Sequence, residues 1–566
     1  MTGSVADRQE ALRQRFAPWT PVTLHGALDA AAEAFGDQPF VITDDHSWSY
    51  DAIVAWSWRV ANGLRNAGVK TGDKVAIILA NYAEFVVLKF AISRIGAIAV
   101  PINIMNRRDE LRYLLEQSDS AMLVTMDRFR DVDYLDILDQ IAPDWATKAG
   151  GSTLPALRNI FIFPTGEGEA RHGVHLFADL DASSTHPLAV LDVSPQSDCD
   201  IIYTSGTTGS PKGVLLTHDM LTRTAFGSAY ARAFAPGHRI VFSLPMFHVY
   251  GYVEGLLSVL WVGGAIIIQR RFDARDTLDA IVRHRASDAL LIPAMTLAII
   301  DAARAQHYDL SSLHFALSSG ARAPERIWQE MREVLGVREI TTGYGMTEAT
   351  ASTTVTRPDD PTERLLTTNG RMRDVGPAGD AALSNRLVTY EVVDQESGAI
   401  LPHGAVGELV AYGPGITRGY YKKPEATAAA FTADGWLKTG DLGRIDADGY
   451  ITLSGRSKES YRCGGEQILP VEVEDLLVSH PTVLQAHIVP IPDERMGEVG
   501  VAFIIPRSGA TVDTEDLRTF VSERLARYKV PRHFIVASES DIPTTASGRA
   551  RKFLLAKQAL KLLELS

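Results

Sequence analysis

Apolar positions in the first hundred residues switch between a helical and a strand period. Thr23 precedes Leu24, Ala27, Leu28, Ala31, Ala34 and Phe35, which form one helical face with a hydroxyl cap and Gly36 as its stop. A second amphipathic stretch runs from Tyr50 to Gly68, and Lys74 to Leu79 is an apolar run of strand length. Ala83 to Ile95 returns to the helical period, and Ala97 to Pro101 is another short apolar run. Strand, helix and strand at this spacing predict βαβ units in a largely parallel sheet. The theme recurs where Ile201 and Ile202 lead into a glycine-rich loop, with Ala265 to Ile268 strand-like and Asp273 to Arg285 helical. No fixed-period repeat is present.

From about Asp434 the pattern turns to short strands and tight turns, with Asp446 to Gly449 (DADG) reading as a turn between two of them. Beyond Arg456 a compact α+β pattern follows. Glu472 to Ser479 is helical, His487 to Val489 and Val501 to Ile505 are strand-like, and Asp513 caps a helix from Thr514 to Leu525. His533 to Ala537 is one more strand, and the chain is helical from Lys552. The turn-rich, charged stretch Gly455 to Lys458 predicts a hinge, dividing the chain into residues 1–455 and 456–566. The expected fold class is α/β, with a large N-terminal region of several subdomains and mostly parallel sheets, followed by a small α+β domain.

The 566 residues are 46% hydrophobic and 22% charged, a globular balance that excludes disorder and low-complexity fibre. The longest nearly apolar run, Gly255 to Ile268, has 14 residues, short of the ~20 that a spanning helix needs. Charges at the N-terminus stand where a signal peptide needs an apolar core. Only Cys199 and Cys463 are present, too few for a disulfide framework. These features predict a cytoplasmic protein without a transmembrane segment. Basic residues number 56 and acidic ones 69, a net charge of −13 that disfavours nucleic acid as a partner. The sequence leaves the oligomeric state open, and a homo-oligomer is compatible with it.

The strongest chemical signal is YTSGTTGSPKGV, Tyr203 to Val214. Gly206, Gly209 and Gly213 let backbone N–H groups approach phosphate oxygens, Thr204, Ser205, Thr207 and Thr208 add hydroxyl donors, and Lys212 adds positive charge. It is not a Walker loop, because Pro211 stands five residues after Gly206.

This stretch resembles the phosphate-loop signature of the adenylate-forming superfamily of acyl-CoA synthetases, luciferases and peptide-synthetase adenylation domains. Further motifs follow in the family's order over essentially the whole chain. Tyr344 to Glu348 (YGMTE) is similar to YGxTE, Trp436 to Asp441 (WLKTGD) to the TGD segment, Gly455 to Glu474 to the hinge stretch, and Pro543 to Gly548 to the loop before the catalytic lysine. The resemblance implies attack of a carboxylate on the α-phosphate of ATP, release of pyrophosphate, and displacement of AMP by a thiol. No covalent enzyme nucleophile is needed; positioning and stabilisation of phosphoryl charge do the chemistry.

By the same resemblance, Thr204, Ser205, Gly206, Thr207, Thr208, Gly209 and Lys212 hold the β- and γ-phosphates, Thr347 contacts the α-phosphate, and Glu348 holds Mg²⁺. Asp441 binds the ribose hydroxyls, Arg456 reaches ribose or phosphate, and Gly320 and Ala321 with Tyr344 enclose the adenine. His248 is the gate beside an acyl pocket lined by Val249, Tyr250, Met346, Ala349 and Ala351. Lys458 falls at the hinge position, and Gly464 and Gly465 face coenzyme A.

Two positions depart from the family pattern: Arg549 occupies the place of the catalytic lysine, and Arg462 stands where some relatives carry a lysine facing the second half-reaction. Arginine keeps the charge but replaces a compact ammonium by a planar fork. Residues 247–251 hold no aspartate for a substrate ammonium, which argues against an amino acid substrate. The reading is an AMP-forming carboxylic acid–CoA ligase with ATP, Mg²⁺ and coenzyme A as cofactors, a mobile C-terminal domain, and a fatty, alicyclic or aryl acid as substrate. CoA is favoured as acceptor because the chain ends soon after its C-terminal domain. A ligase loading a separate carrier protein, an oxidative luciferase-like activity, and a catalytically weakened binding protein are its rivals.

Overall fold

A computed structural model describes residues 3–166, 171, 173–181, 191–204, 211–320, 326–463, 466–493, 495–545 and 549–563. The first helices form where capping and period place them. Thr23 Oγ1 accepts from the Gly26 amide at 3.1 Å, and helix Leu24–Phe35 stops at Gly36. Helix Tyr50–Asn66 has Ser49 as its cap. Strand Lys74–Ile78 leads to helix Ala83–Arg94, of which every residue except Glu84 is buried. That explains its apolar character on all sides.

These strands build a seven-stranded sheet ordered Lys212–Thr217, Asp198–Thr204, Ile98–Pro101, Lys74–Ile78, Ser120–Met126, Asn159–Phe163 and His175–Leu176. It is parallel except for the hairpin of its first two strands. That hairpin's tip, residues 205–210, lies outside the described residues. A second seven-stranded sheet runs Glu339–Thr341, Phe315–Ser318, Asp288–Leu291, Arg239–Phe242, Ala265–Ile268, Pro39–Ile42 and Ser47–Ser49, parallel up to its last strand. Between the two, Lys89 forms a fully buried ion pair with Asp200, whose other oxygen accepts from the Tyr252 hydroxyl at 3.3 Å.

The apolar stretch Gly255 to Ile268 is not one element. A π-helix Tyr250–Leu257 passes into a 3₁₀ helix Ser258–Val262, and Gly263 turns the chain at φ +60° into the strand. A side chain on Gly263 would run into the ring of Phe35.

Strands Thr389–Val393, Gly407–Tyr412, Leu437–Ile445 and Ile451–Arg456 make an antiparallel sheet, with the expected turn at Gly449, φ +81°. A further sheet includes Tyr461–Cys463, Val483–Asp493, Gly497–Pro506 and His533–Val536, and a separate apolar cluster extends from Tyr461 to Ala559. The helix capped by Asp513 ends at Ser522, short of Leu525, where the Arg524 amide donates to the Val521 carbonyl three residues back, a closing turn of the 3₁₀ type. Among the described residues, no helix is long and apolar enough to cross a membrane.

Candidate active site

Three motif residues far apart in sequence meet at the edge of the antiparallel sheet. Strand pairing sets Asp441 opposite Arg456, and Arg456 Nε lies 2.7 Å from Asp441 Oδ1. Tyr344 donates its hydroxyl to Asp441 Oδ2 at 2.6 Å. Burial and the neighbouring carboxylate push this hydroxyl well above the usual tyrosine range, so it stays a donor. Burial opposes the Arg456 charge, but Asp441, Tyr344, Glu459 and Glu348 outweigh it and raise the guanidinium pKa.

Tyr344 stands on strand Gly343–Met346, hairpinned with Ala351–Val355. A β-carbon on Gly345 would come within 1.9 Å of the Ala351 carbonyl oxygen, so only glycine fits this approach. The hairpin turns through the 3₁₀ segment Thr347–Ala349, which presents Glu348.

Glu348 is tied into a second wall. Tyr420 donates to its Oε1 at 3.0 Å, and the Thr417 amide donates to its carbonyl at 2.8 Å. The same segment is stitched to the strand after the glycine-rich loop. The Leu215 amide donates to Gly419 O at 3.2 Å and the Tyr421 amide to Gly213 O at 2.8 Å. Lys212 Nζ lies 4.7 Å from the Tyr420 ring centroid. Burial raises the Glu348 pKa, against its own backbone amide, Tyr420, Arg456 and Lys212. A carboxylate, two cations and a hydroxyl thus share one field, a donor set suited to a metal-bound polyphosphate. Among the described residues, no three His, Cys, Asp or Glu side chains cluster as a metal site.

On the far side of the hairpin, the strand pairing puts Met346 opposite Ala351, and Ala349 and Ala351 are buried. His248 and buried Val249 precede the π-helix that begins at Tyr250. His248 Nδ1 accepts from the Tyr250 amide at 3.3 Å, and burial pushes the imidazole down to about 4, so it is neutral at pH 7. Tyr250 donates its hydroxyl to Leu291 O at 2.9 Å. Gly320, at φ +91°, follows Ser319, whose hydroxyl donates to Gly343 O at 2.5 Å.

The cations of the last motifs stand elsewhere. Arg549 pairs with Glu459 Oε1 at 3.3 Å, Lys552 lies 3.4 Å from Glu459 Oε2 and 2.7 Å from Glu474, and Arg462 pairs with Glu396 at 3.8 Å. Lys458 lies in the 3₁₀ turn Ser457–Glu459, its side chain outside the described residues. Ser205, Gly206, Thr207, Thr208, Gly209, Ala321, Gly464 and Gly465 also lie outside them, while Thr204 ends its strand at the loop's entrance.

Three functional candidates have no place in the motif reading: Tyr420 against Glu348, and the buried pair of Glu254 and Arg373. The only hint of the pair in the sequence is Glu254 as the single charge within the apolar stretch Tyr250 to Val262.

Residues 28–421 match the AMP-binding enzyme family and residues 472–549 the AMP-binding enzyme C-terminal domain. YngI of Bacillus subtilis, which carries an acyl-CoA synthetase name, is 33% identical over 96% of this chain and 98% of its own. The medium-chain acyl-CoA ligase ACSF2 of Danio rerio is 31% identical over 97% of this chain and 90% of its own. A methyl-dioxo-octahydro-indenyl propanoyl:CoA ligase of Mycobacterium tuberculosis is 31% identical over 94% and 97%. Among solved structures, the anthranilate CoA ligase AuaEII with anthranoyl-AMP superposes with TM-score 0.83 at 25% identity, covering 96% of this chain and 98% of that one. The chain belongs to the AMP-binding enzyme family, as an adenylate-forming acyl-CoA ligase. ATP dependence and coenzyme A as co-substrate come with that family.

Proposed function

We propose that this chain joins a fatty, alicyclic or aryl acid to coenzyme A in two half-reactions at one site, carried by residues 1–455 with residues 456–566 as a mobile domain. The observation that carries the reading is the meeting of Tyr344, Asp441 and Arg456 beside the Glu348, Tyr420 and Lys212 group. Asp441 accepts from the ribose hydroxyls, with its orientation fixed from two sides. Tyr344 and Gly320, with Ala321, flank the adenine. Thr204 to Lys212 grip the terminal phosphates, and Thr347 donates to the α-phosphate.

Glu348 would hold Mg²⁺, as a single carboxylate beside a polyphosphate can. The metal supplies charge neutralisation on the phosphates. Tyr420 orients the carboxylate, and Lys212 and Arg456 stabilise negative charge that grows on the phosphoryl oxygens. Neutral His248, with Val249, Tyr250, Met346, Ala349 and Ala351, admits the acyl group. Arg549 leaves Glu459 to reach the acid and the α-phosphate in the first half-reaction, and rotation at Lys458 brings Arg462, Gly464 and Gly465 to the thiol in the second. The two buried free cysteines and the need for ATP and CoA agree with a cytoplasmic setting.

A pyrophosphate-release screen over carboxylic acids, followed by CoA consumption with each hit, tests the reading. Acid-dependent release of pyrophosphate and loss of free thiol are the expected results; release with no acid overturns it.

A further inference from the structure

Glu254 sits one turn of the π-helix beyond Tyr250, and its side chain is fully buried. Its Oε1 accepts from the Ser352 amide at 3.1 Å and from Arg373 at 2.8 Å, and its Oε2 accepts from the Ser228 hydroxyl at 2.6 Å. The Ser352 amide directly follows Ala351, so the carboxylate lies against the back of the hairpin that bears Ala349 and Ala351. Burial opposes the Glu254 charge, but the Arg373 guanidinium and the Ser228 hydroxyl outweigh it and hold the acid below the ordinary range. The pair is ionised.

Arg373 is only 4% exposed. One of its terminal nitrogens serves Glu254 and the other reaches Thr224 O at 3.4 Å, while its Nε has no hydrogen-bond acceptor among the described residues. Arg373 and Ala349 line a common cavity with Thr224, Ser352, Thr353 and Val375. Its volume is about 10 Å³, the space of a single water-sized atom. A buried donor without an acceptor is costly, and a site with such a donor discriminates strongly between ligands that do and do not satisfy it.

We propose that the Glu254–Arg373 pair is the specificity-determining far wall of the acyl pocket, and that the acid activated carries an uncharged oxygen, a ketone or a hydroxyl, on its distal part. This rests on the reading that Ala349 and Ala351 line the acyl site, and it narrows the acid left open there. The charge balance selects an uncharged oxygen. Glu254 already neutralises Arg373, so a second carboxylate would enter as an unpaired buried anion. A ketone or hydroxyl oxygen brings a lone pair to the Arg373 Nε–H without disturbing the pair. A plain alkyl end brings no acceptor to that donor.

The test compares straight-chain acids of short to medium length with their oxo and hydroxy counterparts, the oxygen placed in turn along each chain, by initial rates of pyrophosphate release with the full-length protein. The expected result is that at least one oxygenated acid exceeds its parent in kcat/KM by roughly tenfold or more. In the double variant Glu254→Leu, Arg373→Met, which removes both charges together, that ratio falls to within about twofold. Parents that match or outrun every oxygenated counterpart in the unaltered protein overturn the proposal, whether or not the double variant folds. A preference that survives in a folded double variant also overturns it. Either outcome leaves acid activation standing, whereas pyrophosphate release with no acid of either set removes acid activation and this inference together.

Discussion

Tyr344 donates its hydroxyl to Asp441 at 2.6 Å, across 97 positions of sequence. The ring proposed to face the adenine therefore holds the carboxylate proposed to bind the ribose. Tyr344→Phe keeps the ring and frees Asp441 Oδ2. A hydrogen bond to a charged group contributes about 1.5–3 kcal/mol, so KM for ATP rises by roughly ten- to a hundredfold while kcat changes little. Steady-state rates at varied ATP check this; an unchanged KM would mean that Arg456 alone orients Asp441.

Glu348→Ala removes the carboxylate proposed to hold Mg²⁺, and most acyl-adenylate formation is expected to be lost. Pyrophosphate release at saturating Mg²⁺ is the measurement, and a near-normal rate there rejects the assignment.

Burial raises the Glu348 pKa above the ordinary carboxylate value, and only its ionised form holds the metal. Adenylation is therefore lost as pH falls through this raised value, at higher pH than an unperturbed glutamate gives. Added Mg²⁺ competes with the proton, so the acid limb of kcat/KM for ATP moves to lower pH as Mg²⁺ rises. A limb that ignores Mg²⁺ assigns it to another group.

Lys458→Pro fixes φ in the turn between the two parts of the chain. Acyl-adenylate still forms, and transfer to CoA stops. Equal loss of both half-reactions would place the hinge elsewhere.

Arg549 is held by Glu459, which it shares with Lys552. Arg549→Lys restores a compact ammonium able to bridge acid and α-phosphate, and a ~1 Å gain in placement is worth about 10²-fold in adenylation. Thioester formation from supplied acyl-adenylate stays nearly unchanged. Lower pyrophosphate release in the variant would identify arginine as the working residue.

Much of this architecture could be read from the chain, because its signals are local. Thr23, Gly36 and the apolar face between them lie within one helix, and Asp446 to Gly449 closes a turn on its own. The end of the helix after Asp513 is not legible, because nothing in its apolar period marks the point where the Arg524 amide steps back to the Val521 carbonyl. The meeting of Tyr344, Asp441 and Arg456 was legible through ordered motifs, which named them together with Glu348. Tyr420 and Arg373 were not, because their meaning lies in partners 72 and 119 positions away. Arg549 and Arg462 were legible as departures, but their pairing with Glu459 and Glu396 depends on how the last hundred residues sit against the hinge.

The π-helix Tyr250–Leu257 holds one residue more than an α-helix would need over the same path. Its wide turn amounts to one residue inserted into an α-helical path. Deleting a single residue ahead of Glu254 would let the segment rewind as an α-helix with Glu254 still close to the Ser352 amide, whereas the same loss from an α-helix turns every later side chain by about 100°. The wide turn is thus slack held in the backbone: it can give up one residue and keep Glu254 in place, so a gap here is a milder change than a substitution of Glu254 itself.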